Sequence, residues 1–207
     1  MIAIIGASGE LGSRTAEAIL ERGYPADRLV AGSRSPKKLN PLADRGVSVR
    51  RADYEDPGSL EATFEGVERL LLMPTLASPP DRVRQYENAI TAARATGVRH
   101  LLSYTLVPAV VESPFSITPF LLYAESALRT SGLDWTILRN SLYIDPIADW
   151  VPEIIEMGTI PYPTGDGRCA YISRDDIARA GAAALTTDGH ENRIYNITGP
   201  ESLSTAD

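Results

Sequence analysis

The chain is poor in the residues that build covalently linked or metal-held scaffolds. Of its 207 residues one is a cysteine, Cys169, and two are histidines, His100 and His190. A single thiol excludes an internal disulfide framework and a multi-cysteine zinc site, so Cys169 reads as a small half-buried hydrophobe. The histidines do not stand at ligand spacing: His100 heads an apolar strand and His190 lies in a polar turn. No metal is expected. Positive charge is also scarce. Twenty lysines and arginines against 27 acids leave a net charge of -7, which provides no field for phosphodiester backbones or anionic lipid. Nucleic acid is not an expected partner. Long hydrophobic runs are missing too, since Leu70-Leu71-Leu72-Met73 is far too short to span a bilayer and suits a buried parallel strand. The N-terminus, Met1 to Ile5, turns at once into Gly6 without the pattern of a signal peptide. The expected location is the cytoplasm, away from membrane.

What is present is a regular alternation. Hydrophobic residues make up 43% of the chain, enough for one continuous core, and no repeat or linker divides it. Strands are predicted at Ile2–Ile5, Arg28–Ala31, Val47–Arg50, Arg69–Leu72, Val98–Ser103, Trp135–Leu138 and Tyr195–Ile197. Between them the pattern predicts helices over Glu10–Arg22, Ser59–Phe64, Asp81–Thr96, Thr118–Thr130, Asp149–Met157 and Arg174–Leu185. Gly97 and Gly132 are placed to close two of them. This is an α/β chain, a Rossmann-like doubly wound parallel sheet. It is expected to form one domain over 1–207, with a cofactor-binding core over about 1–143 and a smaller substrate-facing part over about 144–207.

Gly6-Ala7-Ser8-Gly9-Glu10-Leu11-Gly12 follows the first strand and opens the first helix, which is the context that glycine spacing needs before it carries chemistry. Gly6 can take the tight turn. Gly9 lets backbone approach a diphosphate, and Gly12 lets helix pack closely on strand. Free amides at the helix N-terminus then meet the anion. The alternative is a turn that merely joins strand to helix. The spacing is GxxGxxG rather than GxGxxG.

At the end of the second strand, where an acid would bond both ribose hydroxyls of NADH, the chain has Ser33-Arg34, with Lys37-Lys38 following. Arg34 and Lys38 could pair with a 2′-phosphate. NADPH is therefore the expected cofactor, with NADH as the alternative. Solvated surface cations are the competing reading, and a more serious one for the lysines. Asp53, at the end of the third strand, either accepts from the adenine amino group or caps the turn that follows it.

Taken in order, several segments resemble the atypical short-chain dehydrogenases of the NmrA-like type, especially their quinone- and triphenylmethane-reducing members. They are the glycine turn, Gly46 to Tyr54, Gly66 to Leu72, Leu138 to Tyr143, Ser173 to Asp176 and Gly189 to Asn192. The likeness runs over almost the whole chain. It implies cofactor contacts from the glycine turn, from Arg34, from Met73, Pro74 and Thr75, and from Leu138, Arg139, Asn140, Ser141, Leu142 and Tyr143. Arg174 is a further candidate. Glu10 departs from the glutamine common there, and its charge would weaken diphosphate binding unless it points away. Members of the group extend beyond Leu203 to Asp207, which resembles the cap and first turn of a further helix. The chain is thus expected to be either a fragment or a short relative with an open pocket.

Classical short-chain dehydrogenases use Tyr-x-x-x-Lys, in which lysine lowers the tyrosine pKa for proton donation. Here Tyr123 is followed by Ala127 at the lysine position, so no catalytic side chain is assigned. Reduction of a simple ketone is disfavoured. A quinone or cationic dye yields a delocalised or neutral product, and needs mainly placement against the nicotinamide. Tyr104, Thr105, Asn140 and Tyr143 fall just after strands and are the candidate substrate contacts, with Trp150 as an aromatic wall. For each, core packing or local hydrogen bonding is the competing role. The expected function is an NAD(P)H-dependent oxidoreductase acting on a quinone-like or conjugated aromatic acceptor. The alternatives are a dinucleotide-sensing regulator or a tailoring enzyme of natural-product synthesis. A homodimer is one assembly considered, and the oligomeric state stays open.

Overall fold

The computed structural model describes residues 1–107, 110–113, 115–159, 165–204 and 207. Seven strands form a single sheet: β1 (Ile2–Ile5), β2 (Leu29–Ser33), β3 (Ser48–Arg51), β4 (Arg69–Leu72), β5 (His100–Leu106), β6 (Asp134–Asn140) and β7 (Arg193–Ile197). Their order is β3-β2-β1-β4-β5-β6-β7, and every pairing is parallel. This is the Rossmann arrangement, in which the order reverses between β1 and β4 and opens a crevice beyond their carboxyl ends.

The helices are α1 (Glu10–Glu21), the one-turn α2 (Asn40–Ala43), α3 (Pro57–Phe64), α4 (Pro79–Ala95), α5 (Thr118–Arg129), α6 (Asp145–Asp149), α7 (Val151–Met157) and α8 (Arg174–Thr186). Side chains alternate across the strands, so one strand feeds two cores. Ile2 and Ile4 of β1 join Ala16 and Ile19 of α1 and Ile177 of α8 on one face. Ala3 and Ile5 join Phe64 of α3, Tyr86 of α4 and Leu121 of α5 on the other. Strands covered on both faces must be apolar throughout, which is why all four residues of β1 are buried.

The predicted elements are present, with shifted ends. β6 extends through Asn140, so Arg139 and Asn140 belong to the strand rather than to a loop after it. The helix expected over Asp149–Met157 is two short helices meeting at Trp150, with Pro146 and Pro152 each in a first turn. Leu203 does not open a helix. It forms an isolated antiparallel bridge with Cys169, through hydrogen bonds of 2.8 and 2.9 Å. The expected helical cap there falls partly on residues 205 and 206, and much of the proline- and glycine-rich stretch falls on 160–164, both outside the described residues. Among the described residues, no helix is long and apolar enough to cross a membrane.

Candidate dinucleotide site

The glycine turn sits at the reversal of strand order and is tied down by backbone. Gly6 adopts φ +87°, and the amides of Gly6 and Ala7 both donate to the Gly32 carbonyl of β2, at 3.0 and 3.1 Å. A Cβ on Gly12 would lie 2.3 Å from the Gly6 carbonyl oxygen, so only glycine lets α1 start this close to the turn. A Cβ on Gly9 would meet that same oxygen at 3.4 Å, an ordinary contact. Gly9 therefore keeps the approach to the helix bare rather than relieving a clash. No side chain caps α1, which leaves its first-turn amides available to an anion.

A cleft of about 580 Å³ opens above this turn. The glycine turn forms its floor, Ser33 and Arg34 one side, and Asp53 and Tyr54 the far end, while Met73 to Ala77 and Gln85 close it opposite. The walls are braced by polar contacts. Ser8 Oγ and Ser33 Oγ lie 2.8 Å apart, the Ser35 amide donates to Ser33 Oγ, and the Tyr54 hydroxyl donates to the Met73 carbonyl at 2.9 Å. Burial pushes the Tyr54 phenol far above its ordinary pKa, so it stays protonated as a structural donor. Thr75 donates to Gln85, and Gln85 donates to Glu55, each at 2.6 Å, which fixes the loop after β4. Gln85 was not among the expected residues, because polarity on a helix gives no sign of which way it faces.

Arg34 is exposed and lines the cleft. Among the described residues its guanidinium has no partner. Lys38 lies in a short 3-10 turn, Pro36–Leu39, exposed and outside the cleft walls. Asp53 takes the turn-capping role. Its Oδ1 accepts from the Glu55 amide at 3.1 Å, closing the local turn, while the residue borders the cleft.

The carboxyl end of β6 is more divided than expected. Leu138 is core. Arg139 is taken by Glu125 of α5, with bonds of 2.9 and 2.6 Å. Thr105 donates to the same carboxylate at 3.0 Å. Tyr104 points to the opposite face, where its hydroxyl meets Thr15 Oγ1 at 3.0 Å and a Cβ on Gly181 would overlap it. Alternation along the strands thus carries Arg139 and Thr105 into packing with α5, and Tyr104 into packing with α1 and α8. Ser141 Oγ lies 3.5 Å from Cys169 Sγ, and the Leu142 carbonyl accepts from Ile172. Trp150 is half exposed at the junction of α6 and α7 and does not line the cleft.

Asn140 is different. It is fully buried at the end of β6, within reach of the Tyr143 hydroxyl but without a well-aligned hydrogen bond among the described residues. Beside it, Tyr143 carries Arg174 over its ring at 5.3 Å, and Arg174 reaches back to Glu10 at 3.1 Å. Glu10 therefore lines the cleft beside the glycine turn while its carboxylate is paired with Arg174 of α8. Tyr123 lies elsewhere: its hydroxyl donates to Glu87 of α4 at 2.8 Å, in a shallow groove between α4 and α5. Among the described residues no group of three histidines, cysteines or acids could hold a metal.

A Rossmann sheet with a bare glycine turn at its switch point defines a dinucleotide-binding protein. Residues 6–188 match the family model described as NAD(P)H-binding, and the chain belongs to that family. It is 36% identical over 199 residues to quinone oxidoreductase 2 of Escherichia coli (strain K12), covering 96% of this chain and 68% of that one. It is 32% identical over 207 residues to the NAD(P)H azoreductase of Xenophilus azovorans, covering 100% of this chain and 71% of the other. Among solved structures, Citrobacter sp. triphenylmethane reductase complexed with NADP(H) superimposes with a TM-score of 0.92 at 34% identity, over 98% of this chain and 71% of that one.

Proposed function

We propose that the protein is an NAD(P)H-dependent oxidoreductase, with NADPH as the preferred donor and a quinone-like or dye-like conjugated acceptor. The observation that carries this reading is the cleft at the reversal of strand order, floored by uncapped helix amides, in a chain whose relatives are named quinone, azo-dye and triphenylmethane reductases. The residues present fit the dinucleotide. The first-turn amides of α1 suit its diphosphate, Arg34 a 2′-phosphate, Asp53 and Gln85 the adenosine end, and Asn140 a polar group at the β6 edge. When bound, NAD(P)H supplies the hydride.

The protein's own part is placement. The cleft would hold the two reactants face to face, which by itself removes a large entropic share of the barrier. An acceptor whose product is a delocalised anion or a neutral molecule asks little of a side-chain acid. We assign this work to the cytoplasm.

The test is loss of reduced cofactor, followed with a panel of quinones, azo dyes and triphenylmethane dyes. At least one class is expected to be turned over, with NADPH the better donor. Tight dinucleotide binding without turnover of any acceptor would replace the enzyme reading with that of a sensor.

A further inference from the structure

Glu10 is the first residue of α1 and one of the walls of the cleft. An acid at a helix N-terminus suits the dipole, but at this helix the same position borders the place where a diphosphate would add two more negative charges. Its carboxylate is mostly exposed, yet it is engaged by Arg174 of α8, Nη1 to Oε2 at 3.1 Å. Arg174 does not itself line the cleft. It is located from three further directions: the Asp145 carboxylate at 3.7 Å, the Tyr143 ring at 5.3 Å, and its own backbone amide, which donates to Asp145 Oδ2 at 3.0 Å. The neighbouring Arg14 pairs with Asp175, so it leaves no spare cation there.

We infer that Glu10 sets the strength of the grip on the dinucleotide by competing with the diphosphate for the Arg174 guanidinium. The inference rests on the reading that this cleft holds NAD(P)H. Arg174 is the cation that the anion end of α1 could recruit, and Glu10 occupies it. Asp145 and the Tyr143 ring keep the guanidinium in place when Glu10 is replaced by a neutral residue, which frees at the rim of the cleft the donor that Glu10 now takes. A weakened grip suits a reductase that must release the oxidised dinucleotide after every turnover.

The experiment is equilibrium binding of NADPH, NADH and adenosine 2′-monophosphate, by fluorescence or calorimetry at low and high salt. The proteins are the wild type, Glu10→Gln, Arg174→Met and the double variant. Glu10→Gln is expected to tighten NADPH and NADH alike, about two- to fivefold, as release of a largely exposed ion pair allows. The gain should fade in high salt. Adenosine 2′-monophosphate, which has no diphosphate, should not change. In the Arg174→Met background the same substitution should yield little. The inference is overturned if Glu10→Gln leaves both dinucleotides unchanged or loosens them, or if its gain survives in full without Arg174. Failure of the wild type to bind either dinucleotide would instead overturn the reading of the cleft, and the inference with it.

Discussion

Arg139 of β6 holds Glu125 of α5 through two parallel hydrogen bonds, Nε to Oε1 at 2.9 Å and Nη2 to Oε2 at 2.6 Å. Glu125 is almost wholly buried, and Thr105 of β5 adds a third donor to Oε1. The bidentate geometry offsets the cost of burying a carboxylate, and it pins α5 to the carboxyl edge of two adjacent strands. Removing one partner leaves the other buried and unpaired. Glu125→Ala is expected to cost about 3 kcal/mol in urea unfolding, and a matched Glu125→Leu, Arg139→Met pair much less than the sum of the single changes. A loss below about 1 kcal/mol for Glu125→Ala would mean that water already compensates the pair.

Under the proposed reading, Arg34 is the residue that prefers NADPH. Arg34→Ala should weaken NADPH by about 1–3 kcal/mol and leave NADH nearly unchanged, as loss of a charge-assisted bond to a 2′-phosphate requires. Titration of both cofactors decides it. Equal losses would place the arginine elsewhere on the dinucleotide.

Tyr123 is the tyrosine that the sequence offers in place of a Tyr-x-x-x-Lys acid, and its hydroxyl donates to Glu87 in the groove between α4 and α5. Burial and that carboxylate push the phenol up to about 12. Tyr123→Phe is expected to leave kcat with a quinone within about twofold of wild type, since a group outside the cleft contributes no proton transfer. A drop of about a hundredfold, the scale of a lost general acid, would return Tyr123 to the reaction.

His100 is buried at the start of β5, its Nε2 2.8 Å from Thr136 Oγ1. Desolvation, reinforced by the nearby Arg69, holds its pKa below the ordinary 6.5. Above 6.5 both folded and unfolded states are neutral there and the stability is complete. As pH falls through 6.5 the unfolded chain takes up a proton that the folded one refuses, so stability is lost until the lower folded value is passed. Between about pH 7.5 and pH 5 the wild type should therefore lose more unfolding free energy than His100→Gln. Parallel losses would assign the acid sensitivity to the carboxylates.

The glycine turn was legible because its signals are local: an apolar strand, three glycines and a helix follow one another within twelve residues. That Arg34 follows the second strand was legible for the same reason. The protein partners of Tyr104, Thr105 and Arg139 were not legible, because a strand end puts successive side chains on opposite faces, and only the folded chain says which helix each face meets. Glu125 did leave a trace. It shares the buried face of α5 with Phe120, Leu121, Ala124 and Leu128, where an acid needs a partner.

Short-range order in the amino acids was enough to specify alternating strands and helices, a parallel sheet, and a glycine-bearing turn open to an anion, because backbone freedom and hydrophobic period act over a few residues. Only the folded chain decided that Glu10 turns to Arg174, that Arg139 serves Glu125, and that Asn140 is buried beside Tyr143. Those outcomes depend on which distant side chains arrive at 3 Å or so from one another, and charge pairing at that range is a property of packing rather than of sequence neighbourhood.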